Sequence, residues 1–396
     1  MQVLALRDPA EDFILFFRRD PLFGNHPVKT LRYGTVPSLN ELIRDIVHDD
    51  LQTALIRDDL GYPVHPLPTS LPGVFCERMK ARFGWTVAPR RVELLTDVVQ
   101  GVYVALSQFS APGEGVVVQT PVYPPFLSAV REMGRRRIDN PLVLTGAGRW
   151  ELDLDGLAAI SDTDVRVLLL CNPQNPTGRV LERAELEAIA SIAEERDWVV
   201  VSDEIHADLV YPGSGHVPFA ALSPQAEART VTLTSATKAF NIPGLRCAVA
   251  AFGSDELKRR FNGLPRHIRG GLGSLGLEAT EAVWRHGQPW LDQVLAYLDE
   301  NRALVTRFLS EQLPEVVFHP PEAGYLAWLD CRSLELQPTP HAFFLERARV
   351  GLSDGPTFGP PGDGFVRLNF AAPRALLSEI LERMAKAVRE RVPSGA

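Results

Sequence analysis

The chain has 396 residues, 45% of them hydrophobic and 23% charged, with a formal net charge of −8. That size and balance suit a soluble globular protein with one large and one smaller lobe. The acidic balance argues against a nucleic-acid binder, which needs clustered lysine and arginine against phosphate, and no apolar run approaches the length that spans a membrane.

Asp8, Glu11 and Asp12 precede the first apolar stretch, unlike a secretory signal, so the expected compartment is the cytoplasm. Pro21, Pro27 and Pro37 break any long element in 1–50, and this segment is expected to lie beside the smaller lobe or along a subunit interface. Across 51–288, a helix is expected to start at Val98 and Val99 and run toward Phe109. Apolar runs at 116–119, 165–171, 198–202, 231–234 and 247–252 are each followed by polar or Gly/Pro residues and then a helical pattern. This alternation predicts a mostly parallel, doubly wound sheet in a large α/β domain. Leu186, Ile189, Ala190 and Ala193 recur at helical spacing within 181–196. The run Arg135-Arg136-Arg137 reads as a solvated loop or helix end. After Gln288 a long helix through Leu309, strands near 325–329 and 365–370, and a terminal helix over about 374–391 predict a smaller α+β domain, 289–396. Cys76, Cys171, Cys247 and Cys331 show no C-x-x-C and no metal-like spacing with histidine, so they read as reduced, mostly buried thiols.

In an open α/β sheet the ligand sits outside the carboxyl ends of the strands. Four such positions carry Thr120-Pro121-Val122-Tyr123, Asn172-Pro173-Gln174-Asn175-Pro176-Thr177-Gly178, Asp203-Glu204-Ile205-His206 and Ser235-Ala236-Thr237-Lys238. Lys238 is one of only five lysines, with Lys29, Lys80, Lys258 and Lys386, and it alone directly follows a strand-like segment. A lysine amine condenses with an aldehyde, while Ser235 and Arg246 on either side of it can grip a phosphate of the same small molecule. That chemistry is the chemistry of pyridoxal 5'-phosphate acting on amino acids. Asp203 is the candidate carboxylate against the pyridine nitrogen, keeping it protonated so that the ring accepts electrons; a charge-assisted hydrogen bond of this kind is worth roughly 1.5–3 kcal/mol. Asn175 suits the phenolic oxygen and Tyr123 the ring face. The N–H groups of Val98 and Val99, at a helix start, suit the phosphate. The ordinary alternatives are a solvated surface lysine, a helix-capping aspartate and a plain Pro/Gly turn.

Taken together, Asn-Pro-Gln-Asn-Pro-Thr-Gly, Asp203-Glu204-Ile205-His206-Ala207-Asp208 and Ser235 to Arg246 resemble the fold-type I enzymes of the aminotransferase class I/II superfamily, over roughly residues 60 to 370. The Asp-Glu-Ile-His-x-Asp form is similar to the MalY/PatB group of cysteine-S-conjugate (cystathionine) β-lyases, where ordinary aminotransferases more often carry a tyrosine at the place of His206. The resemblance makes Lys238, Asp203 and Tyr123 the catalytic set and Lys238 the residue joined to the cofactor. It makes Asn175 and Tyr123 ring contacts, Ser235 and Arg246 phosphate ligands, and Arg367 the clamp on the substrate carboxylate, a bidentate task that guanidinium does well; a salt-bridged surface arginine is the alternative. Asn175 joins Arg367 in substrate binding. Tyr62 resembles a tyrosine that reaches the phosphate in a neighbouring subunit, which implies a homodimer with shared active sites, although an ordinary buried tyrosine also fits. His206 either tunes the phenolic oxygen or fills space behind the ring.

Two departures stand out. Where the group has a Trp-Val-Ala-Asp-Met-Asp-Phe-like segment, this chain reads Tyr33-Gly34-Thr35-Val36-Pro37-Ser38-Leu39; where relatives often have Pro-Gly-Val-Val, it has Thr96-Asp97-Val98-Val99. An aspartate beside a phosphate repels it unless the carboxylate turns away as an N-cap. The resemblance implies α,β-elimination from a cysteine S-conjugate or cystathionine to thiol, pyruvate and ammonia, with Lys238 as the base at Cα. The alternatives are an aminotransferase, a tailoring enzyme on a cysteine-conjugated secondary metabolite, including decarboxylation coupled to oxidative deamination, and a ligand-sensing regulator, for which nothing before residue 60 supplies a DNA-binding domain.

Overall fold

The computed structural model describes residues 69–146, 148–265 and 267–391 in full, and before them only the backbone of Val3–Arg7, Ile14–Arg18 and Lys29–Thr30. Tyr62 and the segment from Tyr33 to Leu39 lie outside the described residues.

Seven strands form the large sheet: β1 (Val92–Leu95), β2 (Gly115–Val118), β3 (Arg136–Asp139), β4 (Val165–Cys171), β5 (Val199–Asp203), β6 (Thr230–Thr234) and β7 (Ala248–Phe252). Their spatial order is β1-β7-β6-β5-β4-β2-β3. Within this sheet β7 alone runs against its neighbours; every other pairing is parallel. Burial on both faces is why 116–118 in β2 and 167–170 in β4 read as unbroken Val/Leu runs rather than alternating ones. Val116, Val118, Val167, Leu169 and Val201 face one core, shared with Val102, Ala105 and Phe109 of α1 (Val98–Phe109). Val117, Leu168, Leu170 and Val200 face the other, shared with Leu186, Ile189 and Ala193 of α2 (Arg183–Glu195). Helices therefore cover both faces, as doubly wound sheets require.

The run Arg135-Arg136-Arg137 departs from expectation. Arg136 and Arg137 belong to β3, paired in parallel with β2 at the edge of the sheet. Exposed charge on an edge strand discourages pairing with another chain, so an arginine run that reads as a loop marks a protected sheet edge.

A four-stranded antiparallel sheet follows α3 (Gln288–Gln312). Its strands β8 (Val317–Phe318), β9 (Leu326–Asp330), β10 (Ser353–Asp354) and β11 (Phe365–Asn369) lie in the order β8-β9-β11-β10. Side chains alternate across a strand. Ala327, Leu329, Val366 and Leu368 thus enter the core with Leu298, Val305, Leu377 and Ile380 of α3 and α4 (Arg374–Arg389). Trp328 and Phe365 face the opposite way, in a second cluster with Trp150 and Phe358. Arg367, two residues on from Phe365, shares that outer face. Among the described residues no helix is long and apolar enough to cross a membrane, and all four cysteines are free, three of them buried.

Gly178 joins the two sheets. Its carbonyl accepts from Glu322 N–H (2.9 Å) and Ala323 N–H (3.0 Å), and at φ +72° a Cβ would stand 2.3 Å from Pro321 Cβ. Left-handed backbone and overpacking add here, so Gly178→Ala should destabilise the protein by about 2–4 kcal/mol in urea unfolding. A loss below about 0.5 kcal/mol, the range of an ordinary surface change, would mean that this loop does not meet Pro321 as described.

Candidate active site

The carboxyl ends of the parallel strands bring the sequence candidates to one edge. Asp203 is the last residue of β5, and the Asn172–Gly178 loop leaves β4 beside it, with Asn172 N–H donating to Asp203 O at 3.0 Å. Lys238 lies in the turn after β6 and is half-buried.

Asp203 is 4% exposed. Burial pushes its carboxyl up to about 7; the Ile205 N–H on Oδ1 (3.0 Å) and the charge of Lys238 pull it back, and the neighbouring Glu204 opposes them. His206, equally enclosed, is pushed down to about 3 by burial first and then by the charges of Lys238 and Arg367. Its imidazole is therefore neutral at pH 7. The ring meets Tyr325 edge-on at 6.0 Å, and among the described residues its buried Nδ1 has no hydrogen-bond partner.

The Asn-Pro-Gln-Asn-Pro-Thr-Gly loop is held from inside. Gln174 Oε1 accepts from Thr177 N–H (2.9 Å) and from the Thr177 hydroxyl (2.6 Å), and Gln174 Nε2 donates to Pro121 O. Asn172 Oδ1 accepts from Leu181 N–H at 2.9 Å. This frame presents Asn175, whose Oδ1 accepts from Arg367 Nη1 at 2.8 Å. Arg367 Nη2 donates to Ser353 Oγ at 3.1 Å, and its guanidinium lies 4.8 Å from the centre of the Phe358 ring. The Pro121 contact also ties Asn175 to the loop that carries Tyr123, which is half-buried at the start of the Pro124–Glu132 helix.

At the far end, Asp97 caps α1 by accepting Gln100 N–H on Oδ1 (2.7 Å), while its Oδ2 pairs with Arg246. The first intrahelical bond is Gly101 N–H to Asp97 O (3.2 Å). Val98 and Val99 thus occupy the first turn, whose N–H groups point out of the helix. Arg246 is exposed, in left-handed backbone at φ 45°. Ser235 is turned inward: its hydroxyl lies 2.6 Å from Cys247 O and accepts from Thr237 N–H at 3.1 Å.

Lys238, Asp203, His206, Asn175 and Arg367 therefore meet in one region, with Tyr123 tied to it through Gln174. Val98, Val99 and Arg246 meet at a helix start, and Ser235 is occupied by its own neighbourhood. This set suits pyridoxal 5'-phosphate on chemical grounds: a buried carboxyl left half-neutralised has need of a protonated ring nitrogen, and an amine stands close enough for its charge to act on that carboxyl. Sequence reasoning missed Gln174 as the loop's organiser, and Ser353 and Phe358 as partners of Arg367. The only signal for Gln174 was its place inside the motif, and the other two sit in short Gly/Pro-flanked segments that read as loop.

Residues 67–384 match the family described as Aminotransferase class I and II. The chain is 39% identical over 388 residues to cystathionine beta-lyase PatB of Bacillus subtilis, covering 94% of this chain and 99% of that protein. It is 35% identical over 300 residues to protein MalY of Escherichia coli, covering 74% and 75% of the two. The crystal structure of cystalysin from Treponema denticola, which contains a pyridoxal 5'-phosphate cofactor, is similar at a TM-score of 0.84 and 32% identity, covering 87% of this chain and 88% of that one.

The two displaced titrations leave opposite marks on stability. Asp203 holds its proton more tightly folded than unfolded, so its contribution is full below about pH 4 and is lost as pH rises through about 7. For His206 the contribution is present above its ordinary value of 6.5 and is lost as pH falls toward 3. In cofactor-free protein, Asp203→Asn should match the parent near pH 4 and exceed it by on the order of 4 kcal/mol at pH 8. Denaturant unfolding from pH 4 to 8 measures this, and parallel profiles for the two proteins would contradict it.

Proposed function

The chain belongs to the aminotransferase class I and II family, and on that footing we propose that it is a pyridoxal 5'-phosphate enzyme cleaving the Cβ–S bond of cysteine S-conjugates or cystathionine. The observation that carries this reading is the buried Asp203 carboxyl with the charge of Lys238 acting on it, beside the Asn175–Arg367 pair. The choice of carbon-sulfur cleavage is supported by the likeness to cystathionine beta-lyase PatB across nearly the whole chain.

When bound, the cofactor supplies a cationic ring that accepts the electron pair left at Cα after proton removal. Asp203 would hold that ring's nitrogen protonated, its buried carboxyl offering a negative charge that water does not reach. Arg367 receives the α-carboxylate on its planar fork, fixed by Asn175 and Ser353. Lys238 Nζ takes the Cα proton, a positioned transfer worth about 10²–10⁴-fold. The Cβ–S pair then departs with the sulfur as thiolate, and hydrolysis of the remaining three-carbon fragment yields pyruvate and ammonia. Tyr123 and Asn175 would hold the ring and its phenolic oxygen. His206, neutral at working pH, adds no second charge beside the ring. The N–H groups of Val98 and Val99 with Arg246 would take the phosphate; Ser235 would join them only by giving up its bond to Cys247 O. Tyr62 of a second copy would complete this end in a homodimer.

With cystathionine or S-methyl-L-cysteine, the purified protein should release pyruvate and thiol in equal amounts without any keto-acid acceptor. Glutamate formed only when 2-oxoglutarate is supplied would instead identify an aminotransferase. Lys238→Ala should lower the rate by at least 10²-fold, and borohydride reduction of the loaded protein should attach the cofactor at Lys238; reduction that labels no residue would refute the reading.

A further inference from the structure

Asn175, Ser353 and Phe358 each use a different part of the Arg367 guanidinium. Asn175 Oδ1 and Ser353 Oγ take its edge, at Nη1 (2.8 Å) and Nη2 (3.1 Å), and the Phe358 ring takes its face at 4.8 Å. A carboxylate also arrives at the edge, in the plane of the fork. The ring therefore fixes the plane without competing for the N–H groups that a carboxylate needs.

Phe358 is itself held on every side. It is 1% exposed and meets Trp328 edge-on at 5.1 Å; Trp328 stacks on Phe365 at 5.3 Å, and Phe365 leans on Trp150 at 5.6 Å. Its carbonyl accepts Val122 N–H at 2.8 Å, one residue before Tyr123. The following Gly359, at φ +83°, passes so near Thr120 that a Cβ would stand 2.9 Å from Thr120 Cγ2. One side chain thus touches the Arg367 face, while its own backbone holds the loop of the other lobe that bears Tyr123.

We propose that Phe358 is a positioning residue for the carboxylate clamp, orienting Arg367 through its ring face and setting the clamp's distance from the Tyr123 loop through its carbonyl. The inference rests on the reading of Arg367 as that clamp. The ring's grip is electrostatic, between the negative ring face and the guanidinium charge, and it strengthens with burial; Phe358 is buried and Arg367 half-buried. Ser353 and Asn175 hold the edge of the guanidinium, and the ring holds its face. Removing the ring's grip should therefore weaken carboxylate binding while leaving amine and cofactor recognition intact.

Fluorinated phenylalanines at position 358 separate this role from simple space filling, since each added fluorine weakens the ring face at nearly constant volume. The holoenzyme is titrated with 2-aminoisobutyrate, which has an α-carboxylate but no Cα proton, and with isopropylamine, its counterpart without the carboxylate, each followed by the absorbance of the bound cofactor. Along the mono-, di- and trifluoro series the dissociation constant of 2-aminoisobutyrate should climb stepwise to about tenfold, with that of isopropylamine and the melting temperature unchanged. Phe358→Leu should reach or exceed the last step. A flat series overturns the role of Phe358 when Arg367→Lys still weakens 2-aminoisobutyrate; if Arg367→Lys also changes nothing, the clamp assignment itself falls and the inference with it.

Discussion

A carboxyl group buried at the end of the central strand is the constraint around which this molecule is organised. Taking a carboxylate out of water costs several kcal/mol unless charge and hydrogen bonds replace the solvent. Asp203 has one backbone N–H and the charge of Lys238 to set against that cost, with Glu204 pulling the other way, and its acidity is displaced to about 7 as a result. Glu204 shows what full compensation looks like in the same turn. It is as buried as Asp203, but it accepts from Ser202 Oγ (2.9 Å) and Phe219 N–H (3.0 Å) and meets His216 Nε2 at 2.9 Å. Two adjacent carboxyls therefore divide the work. One anchors the turn to the 216–219 segment; the other has the Ile205 N–H and the charge of Lys238 to set against its burial. A ligand that brings a cation to Asp203 binds the folded chain alone and stabilises it by mass action.

Polar contacts tie the loop after β4 and the turn after β5 to the segment between β8 and β9. Gly178 O receives two N–H groups from that segment, Glu322 Oε accepts Val180 N–H at 2.7 Å, and Tyr211 Oη donates to Gly324 O at 2.6 Å. Asp208, in the turn after His206, is clamped by Arg78 at 2.9 Å and Arg82 at 3.2 Å. Asn175 and His206 are thus fixed by partners on elements distant in sequence. Their positions depend on the whole fold, which gives the site the rigidity that precise placement of a reacting carbon demands.

The central strands were legible because burial on both faces leaves a run such as 167–171 with no polar alternation to confuse it. Lys238, Asp203 and Asn175 were legible because each sits just beyond such a run. What escaped has a shared cause. Arg136–Asp139 is an edge strand whose charge protects it, and charge hides it among loops. Val92–Leu95 is short, with a glutamate inside. Ser353 and Phe358 act through contacts that only the tertiary fold creates, and the local sequence Gly355-Pro356-Thr357-Phe358-Gly359 carries nothing but turn chemistry. Asp97 was readable as an N-cap because capping is local; its pairing with Arg246 spans 149 positions and was not.

That pairing changes how a phosphate would be held at the start of α1. A glycine in place of Asp97 leaves the helix terminus, roughly +0.5 of a charge, and the arginine both free to face an anion. Here one carboxylate uses Oδ1 on Gln100 N–H and Oδ2 on Arg246, so the arginine's charge is largely cancelled before any phosphate arrives. Under the proposed function, the phosphate end then grips by the direction of the Val98 and Val99 N–H groups rather than by net charge. Such contacts are less sensitive to salt than an exposed ion pair. More of the cofactor's retention falls in turn on the buried end of the site, where the charge of Lys238 and the incomplete Asp203 act on each other through a medium that screens them poorly.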